Sequence, residues 1–305
     1  MRHVVRLTAE GTHRTRRTGS SVQARKGRLT DVSKNIAVEL VVQRTEELAP
    51  RLRRVILGGP GFEDFAERDI DATDKYVKLA FLRDGFDYPE PLDLAVVRET
   101  MPAEARPILR TYTVRWVDLE ARELAIDFVV HGDEGLAGPW AAQAKPGDRI
   151  HARGPGGAYA PKPEADHHLF IGDESALPAI AAALERLPSG ASATAFLEVD
   201  GPTDQLRFST VADLDLRWLH RAPSHPGTTD LLDTAVRGWT WPQGRVQAFV
   251  HGESALLKTV RPYLLDGRVD RADLSVSAYW RHGVTEEGFR EWKSTQADAV
   301  MRPTA

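Results

Sequence analysis

The stretch Arg110-Thr111-Tyr112-Thr113-Val114-Arg115 alternates cationic, aromatic and hydroxyl side chains in a β-prone run. Successive side chains of a strand point to opposite faces, so the first, third and fifth residues share one face and the other three share the opposite face. This set suits a flat heteroaromatic ligand with a phosphate, because it offers a ring for stacking, an arginine for the phosphate and a hydroxyl for a ring nitrogen. An exposed strand with charged flanks explains the six residues equally well.

Five further strand patterns surround this stretch. Alternating or continuous apolar runs bounded by Gly, Pro and Asp turns predict strands at residues 35–43, 51–58, 75–81, 110–117, 123–130 and 149–152. Residues 84–109 carry many prolines and charges and are expected to be irregular. Six short strands with almost no helix predict a small antiparallel barrel.

The pattern changes after Pro161-Lys162-Pro163, which we interpret as a linker. Strands are predicted at residues 168–172, 193–200, 216–220, 246–251 and 274–279, and helices at 175–187, 228–237, 254–265 and 285–293. Strands that alternate with helices indicate a parallel sheet covered on both faces. The predicted fold class is therefore an N-terminal six-stranded antiparallel (Greek-key) barrel followed by a C-terminal parallel-sheet α/β domain.

Composition excludes several classes of protein. The 305 residues suffice for two domains, and the absence of cysteine excludes disulfides, thiol catalysis and cysteine-ligated iron–sulfur clusters. No run approaches the roughly 18 to 20 apolar residues of a membrane span, so no stable membrane insertion is expected. We see no secretory signal and expect a cytoplasmic protein. No His, Asp or Glu cluster has metal-ligand spacing, and no metal site is predicted.

The N-terminal segment differs from the rest of the chain in charge. Residues 1–30 hold eight lysines and arginines against one acid, Glu10. Such a segment could touch nucleic acid or a membrane, but it has almost no apolar periodicity, so we expect residues 1–34 to be a disordered leader with no nucleic-acid role. Arg16-Arg17 is not followed by the apolar region that a twin-arginine signal requires.

Four motifs, in order along the chain, together resemble the siderophore-interacting proteins. They are residues 110–115, His131–Ala141, Gly172–Ile180 and Tyr279-Trp280-Arg281-His282-Gly283. This family consists of FAD-dependent ferric-siderophore reductases within the ferredoxin reductase-like superfamily, and the resemblance runs from about residue 35 to the end. It implies an FAD-binding barrel at residues 35–160 and an NAD(P)H-binding α/β domain at residues 165–305.

The resemblance assigns the FAD site to two segments. On the first, Arg110 pairs with the pyrophosphate, Tyr112 packs on the isoalloxazine, Thr113 lies near its reactive N5, and Thr111 belongs to the same site. The second segment, which wraps the rest of FAD, contributes His131, Gly132, Gly138, Trp140 and Ala141. Trp140 either packs on the cofactor or caps the barrel. The family usually has Pro-Ala-Ser where this chain has Leu136-Ala137-Gly138, so backbone amides must replace one serine hydroxyl.

Two strand ends are assigned to the nicotinamide nucleotide by the same resemblance: Gly172, Asp173, Glu174 and Ser175, and His251, Gly252 and Glu253. The physical properties of some of these residues favour a different role from the one that the resemblance assigns. Two carboxylates would repel a pyrophosphate, whereas acids and Ser175 suit the start of a helix. Asp200 is either a ribose ligand, which would favour NADH, or a solvated turn acid. NADH and NADPH both stay open as electron donors.

Basic residues are expected near the substrate, because ferric siderophores are bulky and often anionic. Lys78 matches a basic position of the family, and Arg115 and Arg281 are further candidates. No side chain is given a catalytic role, because the flavin N5 carries the chemistry, and the siderophore brings its own iron ligands.

The sequence therefore predicts a monomeric, NAD(P)H-dependent, FAD-containing ferric-siderophore reductase that releases iron by reducing Fe(III) to Fe(II). Two alternatives stay open. One is a general flavin or ferredoxin-type reductase, and the other is a siderophore-binding protein without catalytic activity.

Overall fold

A computed structural model describes residues 35–132 and 135–300 of the chain. The leader expected at residues 1–34 lies outside the described residues. Seven antiparallel strands form the first sheet: β1 (Ile36–Ala49), β2 (Leu52–Gly58), β3 (Tyr76–Phe81), β4 (Leu92–Asp93), β5 (Ile108–Asp118), β6 (Glu123–Val129) and β7 (Arg149–Gly156).

The strand order β2-β6-β5-β3-β7-β1, with a further pairing between β1 and β2, closes six of these strands into a barrel. The short β4 pairs only with the start of β1. Closure leaves no open edge in the six-stranded part. Apolar side chains from every barrel strand fill the interior, among them Leu40, Leu57, Leu79, Val114, Ile126 and Ile150. The predicted antiparallel barrel is confirmed.

Several details of the barrel differ from the sequence prediction, and β7 runs to Gly156, four residues past its predicted end. β1 runs to Ala49, six residues past its predicted end, because its polar second half pairs with β2 across two bulges. The stretch expected to be irregular contains β4, the helix α2 (Leu94–Thr100) and a 3-10 turn at Ala103–Ala105. α2 begins where the Asp93 carboxylate accepts hydrogen bonds from two backbone amides, which is a standard N-cap. Two more short helices, α1 (Phe62–Ala66) and α3 (Ala137–Gln143), pack on the barrel.

The second sheet is parallel, with order β10-β9-β8-β11-β12. Its strands are β8 (His167–Gly172), β9 (Ser192–Val199), β10 (Asp213–His220), β11 (Val246–Glu253) and β12 (Leu274–Trp280). Its helices are α4 (Leu177–Glu185), α5 (Leu231–Arg237), α6 (Val260–Leu265) and α7 (Glu286–Val300). The chain leaves β8 in one direction and later returns to its other side as β11. Ligands of such sheets bind where the strand order reverses in this way, at the carboxyl ends of the strands.

The structure corrects several helix predictions, and α7 extends seven residues past its predicted end at residue 293. The predicted helix at residues 254–265 is a 3-10 turn, Ser254–Leu257, followed by the shorter α6. The expected Ser175 cap of α4 is wrong: Ala176 is the N-cap and no side chain caps the helix. The Ser175 hydroxyl instead donates a hydrogen bond to Asp173.

The two domains meet along a seam of ion pairs and apolar contacts. Leu52 of the barrel and Tyr159, which follows β7, lie in the core cluster beneath α4. Arg115 of β5 pairs with both carboxylate oxygens of Glu185 on α4. Further bridges join Arg51 to Asp200 at 2.9 Å and Asp71 to Arg186 at 2.6 Å. In the described part of the chain, no helix is long and apolar enough to cross a bilayer.

Gly172 illustrates how tightly α4 approaches the sheet. A Cβ placed there would lie 2.7 Å from the Ala176 Cβ and 2.8 Å from the His251 carbonyl oxygen. We expect Gly172→Ala to lower the free energy of unfolding by about 1 to 3 kcal/mol, because neither contact involves a flexible side-chain end. Chemical denaturation measures the change.

The matched control is Gly201→Ala. Gly201 has extended backbone angles and no atom within 4 Å of an added Cβ, so a change smaller than about 1 kcal/mol is expected. Equal effects of the two substitutions would contradict the packing argument.

Candidate functional site

The central strand of the site is β5, which pairs with β3. Directly opposite residues are Arg110 and Leu79, Thr111 and Lys78, and Thr113 and Tyr76. Because opposite residues share a face, Arg110 and Tyr112 lie on the face that also carries the buried Val77 and Leu79, and the two threonines lie on the outer face. Tyr112 packs against Phe128 with ring centroids 4.4 Å apart. Burial raises the pKa of the Tyr112 phenol, and the charge of Glu286 raises it further.

Arg110 is buried and is held by the C-terminal helix. Its Nε lies 2.8 Å from Glu286 Oε2, and its Nη1 lies 2.8 Å from Glu287 Oε1. Nη1 also donates to the Leu109 carbonyl. A guanidinium can bind a phosphate in the same geometry. A bound pyrophosphate would therefore either share the Arg110 guanidinium with the two glutamates of α7 or replace them.

Thr113 brings the barrel into contact with the α/β sheet. Its buried side chain lies close enough to the phenol of Tyr279 on β12 to oppose part of the rise in the pKa of that phenol. Desolvation raises the pKa of that phenol, so it stays neutral at physiological pH. The outer face of β5 therefore meets the carboxyl edge of the parallel sheet at one point. Tyr279 lies in one of the four sequence motifs, but no pattern within that motif distinguishes it from its neighbours.

His251 belongs to an aromatic stack at the same edge. Its ring stacks on Phe249 at 3.7 Å and meets Tyr279 edge-on at 5.0 Å. Nε2 hydrogen-bonds the Ser275 hydroxyl at 2.9 Å. Burial, with a smaller contribution from the charge of Lys293, lowers the pKa of His251 to about 3. The ring is therefore neutral at physiological pH and positions Tyr279.

The second predicted FAD segment is only partly described, because Asp133 and Glu134 lie outside the described residues. Gly132 and Gly135 adopt left-handed backbone angles, with φ of 57° and 84°. α3 starts with no side chain on its first amides, so these donors are available to an acceptor. His131 and Gly132 are exposed at the entrance to this segment.

The rest of that segment packs onto the barrel. Trp140 contacts Phe81 edge-on at 5.8 Å and Phe128 at 5.6 Å, so in this structure it caps the barrel. The Ala141 side chain is fully buried in the barrel core. Gly138 allows α3 to approach β6, since a Cβ there would lie 3.3 Å from the Val129 carbonyl oxygen.

Asp173 joins three strands of the parallel sheet. Its carboxylate accepts hydrogen bonds from the Ser175 backbone and hydroxyl, from the Glu253 amide at 2.8 Å and from Trp280 Nε1 at 2.8 Å. Burial raises the pKa of the Asp173 carboxyl, against the effect of these donors. Gly252 leaves the necessary space, because a Cβ there would lie 2.6 Å from Asp173 Oδ2. The side chain predicted to face the nucleotide is thus turned into the sheet edge.

Glu253 and Glu174 have their own partners. Glu253 accepts hydrogen bonds from the Ser254 hydroxyl, the Ala255 amide and the His282 amide. Glu174 forms an ion pair with the buried Arg221. Asp200 forms a partly exposed ion pair with Arg51 of the barrel.

The three predicted substrate residues have different surroundings. Lys78 lies on the outer barrel face, opposite Thr111 on one side and Arg153 on the other. Arg115 is four residues further along β5 than Thr111, about 13 Å away at 3.3 Å per residue, and is engaged by Glu185. The guanidinium of Arg281 lies 5.3 Å from the centroid of the Trp292 ring.

Arg153 was missed by the sequence analysis because the predicted sixth strand ended at residue 152. It lies on β7 beside Lys78 and donates to the Asn35 side chain at 3.1 Å. Extending the alternation of Arg149 and His151 by one step would have identified it.

Comparison with known proteins gives the family. Residues 41–159 match the family model described as "Siderophore-interacting FAD-binding domain", and residues 165–283 match the one described as "Siderophore-interacting protein". The chain belongs to the siderophore-interacting protein family. Its barrel is an FAD-binding domain, and the residues of β5 and of the loop before α3 fit that cofactor. They offer a cation, an aromatic ring, a hydroxyl and uncapped amides.

Three relatives illustrate the similarity. The chain is 33% identical to "Ferric vibriobactin reductase ViuB" of Vibrio cholerae over 84% of this chain and 93% of the relative. It is 28% identical to the "NADPH-dependent ferric-chelate reductase" of Escherichia coli, over 79% and 92%. A crystal structure described as "a siderophore utilization protein from T. fusca" is 40% identical, with TM-score 0.71 over 82% and 94% of the two chains.

The lowered pKa of His251 predicts a pH effect on stability. As the pH falls below 6.5, the unfolded state takes up this proton first, so the folded protein loses stability until the pH reaches about 3. One such histidine contributes up to about 1.4 kcal/mol per pH unit in that window. We expect His251→Gln to make the unfolding free energy less dependent on pH between 4 and 6 by about this amount.

Urea denaturation at several pH values measures the slope. The control is His225→Gln, which replaces an exposed histidine and should leave the slope as in the wild type. A wild-type slope in His251→Gln would show that His251 does not stay neutral in the fold.

Proposed function

We propose that the protein is an NAD(P)H-dependent, FAD-containing ferric-siderophore reductase. The observation that supports this most directly is the contact between Thr113 and Tyr279, because it brings the flavin-binding strand to the carboxyl edge of the sheet that would receive the nucleotide. One NAD(P)H would reduce two ferric siderophores, yielding NAD(P)⁺, one proton and two Fe(II). Bound FAD supplies the conversion from two-electron to one-electron transfer.

The chain's own residues would bind and orient the reactants. Arg110 is proposed to pair with the FAD pyrophosphate, Tyr112 to support the isoalloxazine ring, and Thr113 to hydrogen-bond near its N5. These roles match the chemistry of a guanidinium, an aromatic face and a hydroxyl. Tyr279 would fix the hydroxyl of Thr113, and the neutral His251 would fix Tyr279.

The nicotinamide nucleotide would approach the ends of β8 and β11. The turn from Gly172 to Ser175 and residues His251 to Glu253 lie there side by side, since Gly172 pairs with His251. A relative in E. coli is named as NADPH-dependent, which supports a nicotinamide donor as a class. Asp173 would hold the ends of these strands in position and would not contact the nucleotide itself.

The siderophore is proposed to bind over the outer face of the barrel beside Lys78 and Arg153. These residues are opposite each other on β3 and β7, and Thr111 of β5 completes the row. Two neighbouring cations suit an anionic chelate. Arg115 is better explained as part of the seam between the domains. The described residues contain no cluster of metal-ligating side chains, as suits a substrate that brings its own iron ligands.

The function is tested by anaerobic reduction. We expect NADH or NADPH to bleach the flavin absorbance, and a ferric catecholate siderophore added next to restore it while a ferrous chelator records Fe(II). Protein reduced with dithionite tests the second half-reaction alone. Dithionite-reduced protein that yields no Fe(II) from any ferric siderophore would refute the proposed function.

The role of Arg110 is tested by FAD binding. We expect Arg110→Ala to lower FAD affinity at least about tenfold, the effect of losing one charge-assisted pair. The control, Arg149→Ala, removes an exposed arginine paired with Glu39 on the same barrel and should leave FAD affinity unchanged. Calorimetry on flavin-free protein measures both.

The double variant Glu286→Gln, Glu287→Gln should bind FAD more tightly than the wild type, because it removes two carboxylates that hold the same guanidinium. Full FAD occupancy in Arg110→Ala, or weaker binding in the double variant, would contradict the assignment of Arg110.

A further inference from the structure

The first turn of α7 lies against the barrel strand that is proposed to bind FAD. Glu286 Oε2 lies 2.8 Å from Arg110 Nε, and Glu287 Oε1 lies 2.8 Å from Arg110 Nη1. Tyr112 on the same strand is also near this turn: burial raises the pKa of its phenol, and the charge of Glu286 raises it further. Two residues assigned to the cofactor therefore have the start of α7 as a neighbour.

The glutamate pair engages the Arg110 guanidinium as a diphosphate would. Its carboxylate oxygens lie at hydrogen-bond distance from two different guanidinium nitrogens, which are the donors that an arginine offers to phosphate oxygens. A pyrophosphate added beside both carboxylates would place like charges around one cation, which is unfavourable. Displacement of the glutamates is therefore favoured over sharing of the guanidinium.

Exposure differs between the two sides of this contact. The Arg110 side chain is 11% exposed, whereas the side chains of Glu286 and Glu287 are 35% and 59% exposed. A buried guanidinium needs an acceptor, but carboxylates at the surface can return to water at little cost. The glutamates can therefore leave once another anion binds Arg110.

The backbone around the glutamate pair has few contacts to hold it in place. Gly283, between β12 and α7, is exposed and has a left-handed φ of 70°, and no atom lies within 4 Å of a Cβ added there. Within the helix, the Gly288 amide donates to the Thr285 hydroxyl at 3.3 Å. Glycine has the greatest backbone freedom, and the first amides of a helix have no intrahelical partner. The first turn of α7 can therefore open without disturbing β12.

The remainder of α7 is attached to its own domain. Lys293 Nζ donates to the Ala278 carbonyl at 2.9 Å and lies 3.1 Å from the Ser277 hydroxyl, both on β12. Phe289 is buried and stacks on Trp292, with ring centroids 5.7 Å apart. These contacts lie on β12 or within α7, so the first turn can leave the barrel while the helix stays on the parallel sheet.

We propose that Glu286 and Glu287 form an autoinhibitory clamp on the FAD site, and that FAD loading releases the first turn of α7 from the barrel. The proposal rests on the proposed role of Arg110 in FAD binding and goes beyond it, since it makes α7 a regulatory element. Linkage requires reciprocity: bound FAD weakens docking of the turn by the factor by which docking weakens FAD binding. Cofactor loading thereby exchanges ion pairs between the domains for pairs between the barrel and FAD.

Hydrogen exchange of the whole chain, measured by mass spectrometry with and without saturating FAD, tests the release directly. We expect FAD to speed the exchange of the backbone amides of residues 284–292 at least about threefold, because local opening sets this rate. Ligand binding by itself stabilises the fold and slows exchange, so faster exchange confined to α7 is specific to release. In the double variant Glu286→Gln, Glu287→Gln, these amides should exchange fast without FAD and respond little to it.

The matched control is Glu185→Gln, which removes another carboxylate paired with an arginine across the domain seam, Arg115. This variant should show the wild-type response of residues 284–292 to FAD. Unchanged or slower exchange of these residues with FAD bound, or an equal response in the double variant and the wild type, would overturn the proposal.

The exchange measurements involve neither nucleotide nor siderophore, so they separate the clamp from the enzymatic activity. Reduction of a ferric siderophore by dithionite-reduced protein, together with α7 exchange that FAD does not raise, would overturn the clamp and leave the proposed function standing.

Discussion

The hydrogen bonds accepted by the buried Asp173 carboxylate are the interaction on which the carboxyl edge of the parallel sheet depends. Removing a charge from water is expensive, and only several well-placed donors make it tolerable. Here the donors come from the turn after β8, from β11 and from β12. A single side chain therefore fixes the relative positions of three strand ends. The position of Tyr279, and through it the contact with Thr113, follows from where β12 ends.

The seam between the domains depends on similar pairing, but nearer the surface. Arg115, Arg51 and Arg186 each reach across to a carboxylate of the other domain. Partly exposed pairs of this kind contribute little individually. Leu52 and Tyr159, buried in the core of the α/β domain, provide the apolar contact that the pairs surround. Arg110 forms similar ion pairs with Glu286 and Glu287 of α7. The residue proposed to bind the FAD pyrophosphate therefore also connects the C-terminal helix to the barrel.

Most of the fold could be predicted from sequence because strand alternation and turn residues are local signals. The barrel strands and the order of strands and helices in the second domain follow from them. β1 was predicted too short because its second half is polar and is held by pairing with β2, which no local pattern reveals. The partners of Asp173, Asp200 and Arg115 could not be predicted for a related reason: each is partnered by a residue distant in sequence. The buried ion pair between Arg221 and Glu174 joins the ends of two strands that are distant in sequence, so no local pattern indicates it.

The hydrogen bonds of Asp173 also restrict which substitutions the carboxyl edge of the parallel sheet can accept during evolution. A side chain at position 252 would collide with the carboxylate, and a shorter residue at position 173 would leave the indole nitrogen of Trp280 without an acceptor. Substitutions at these three positions are therefore strongly coupled, and each alone is harmful where a combination is tolerable. A substitution at one of these positions should therefore be accompanied by a compensating substitution at another. Positions 173, 252 and 280 should accordingly covary across the family.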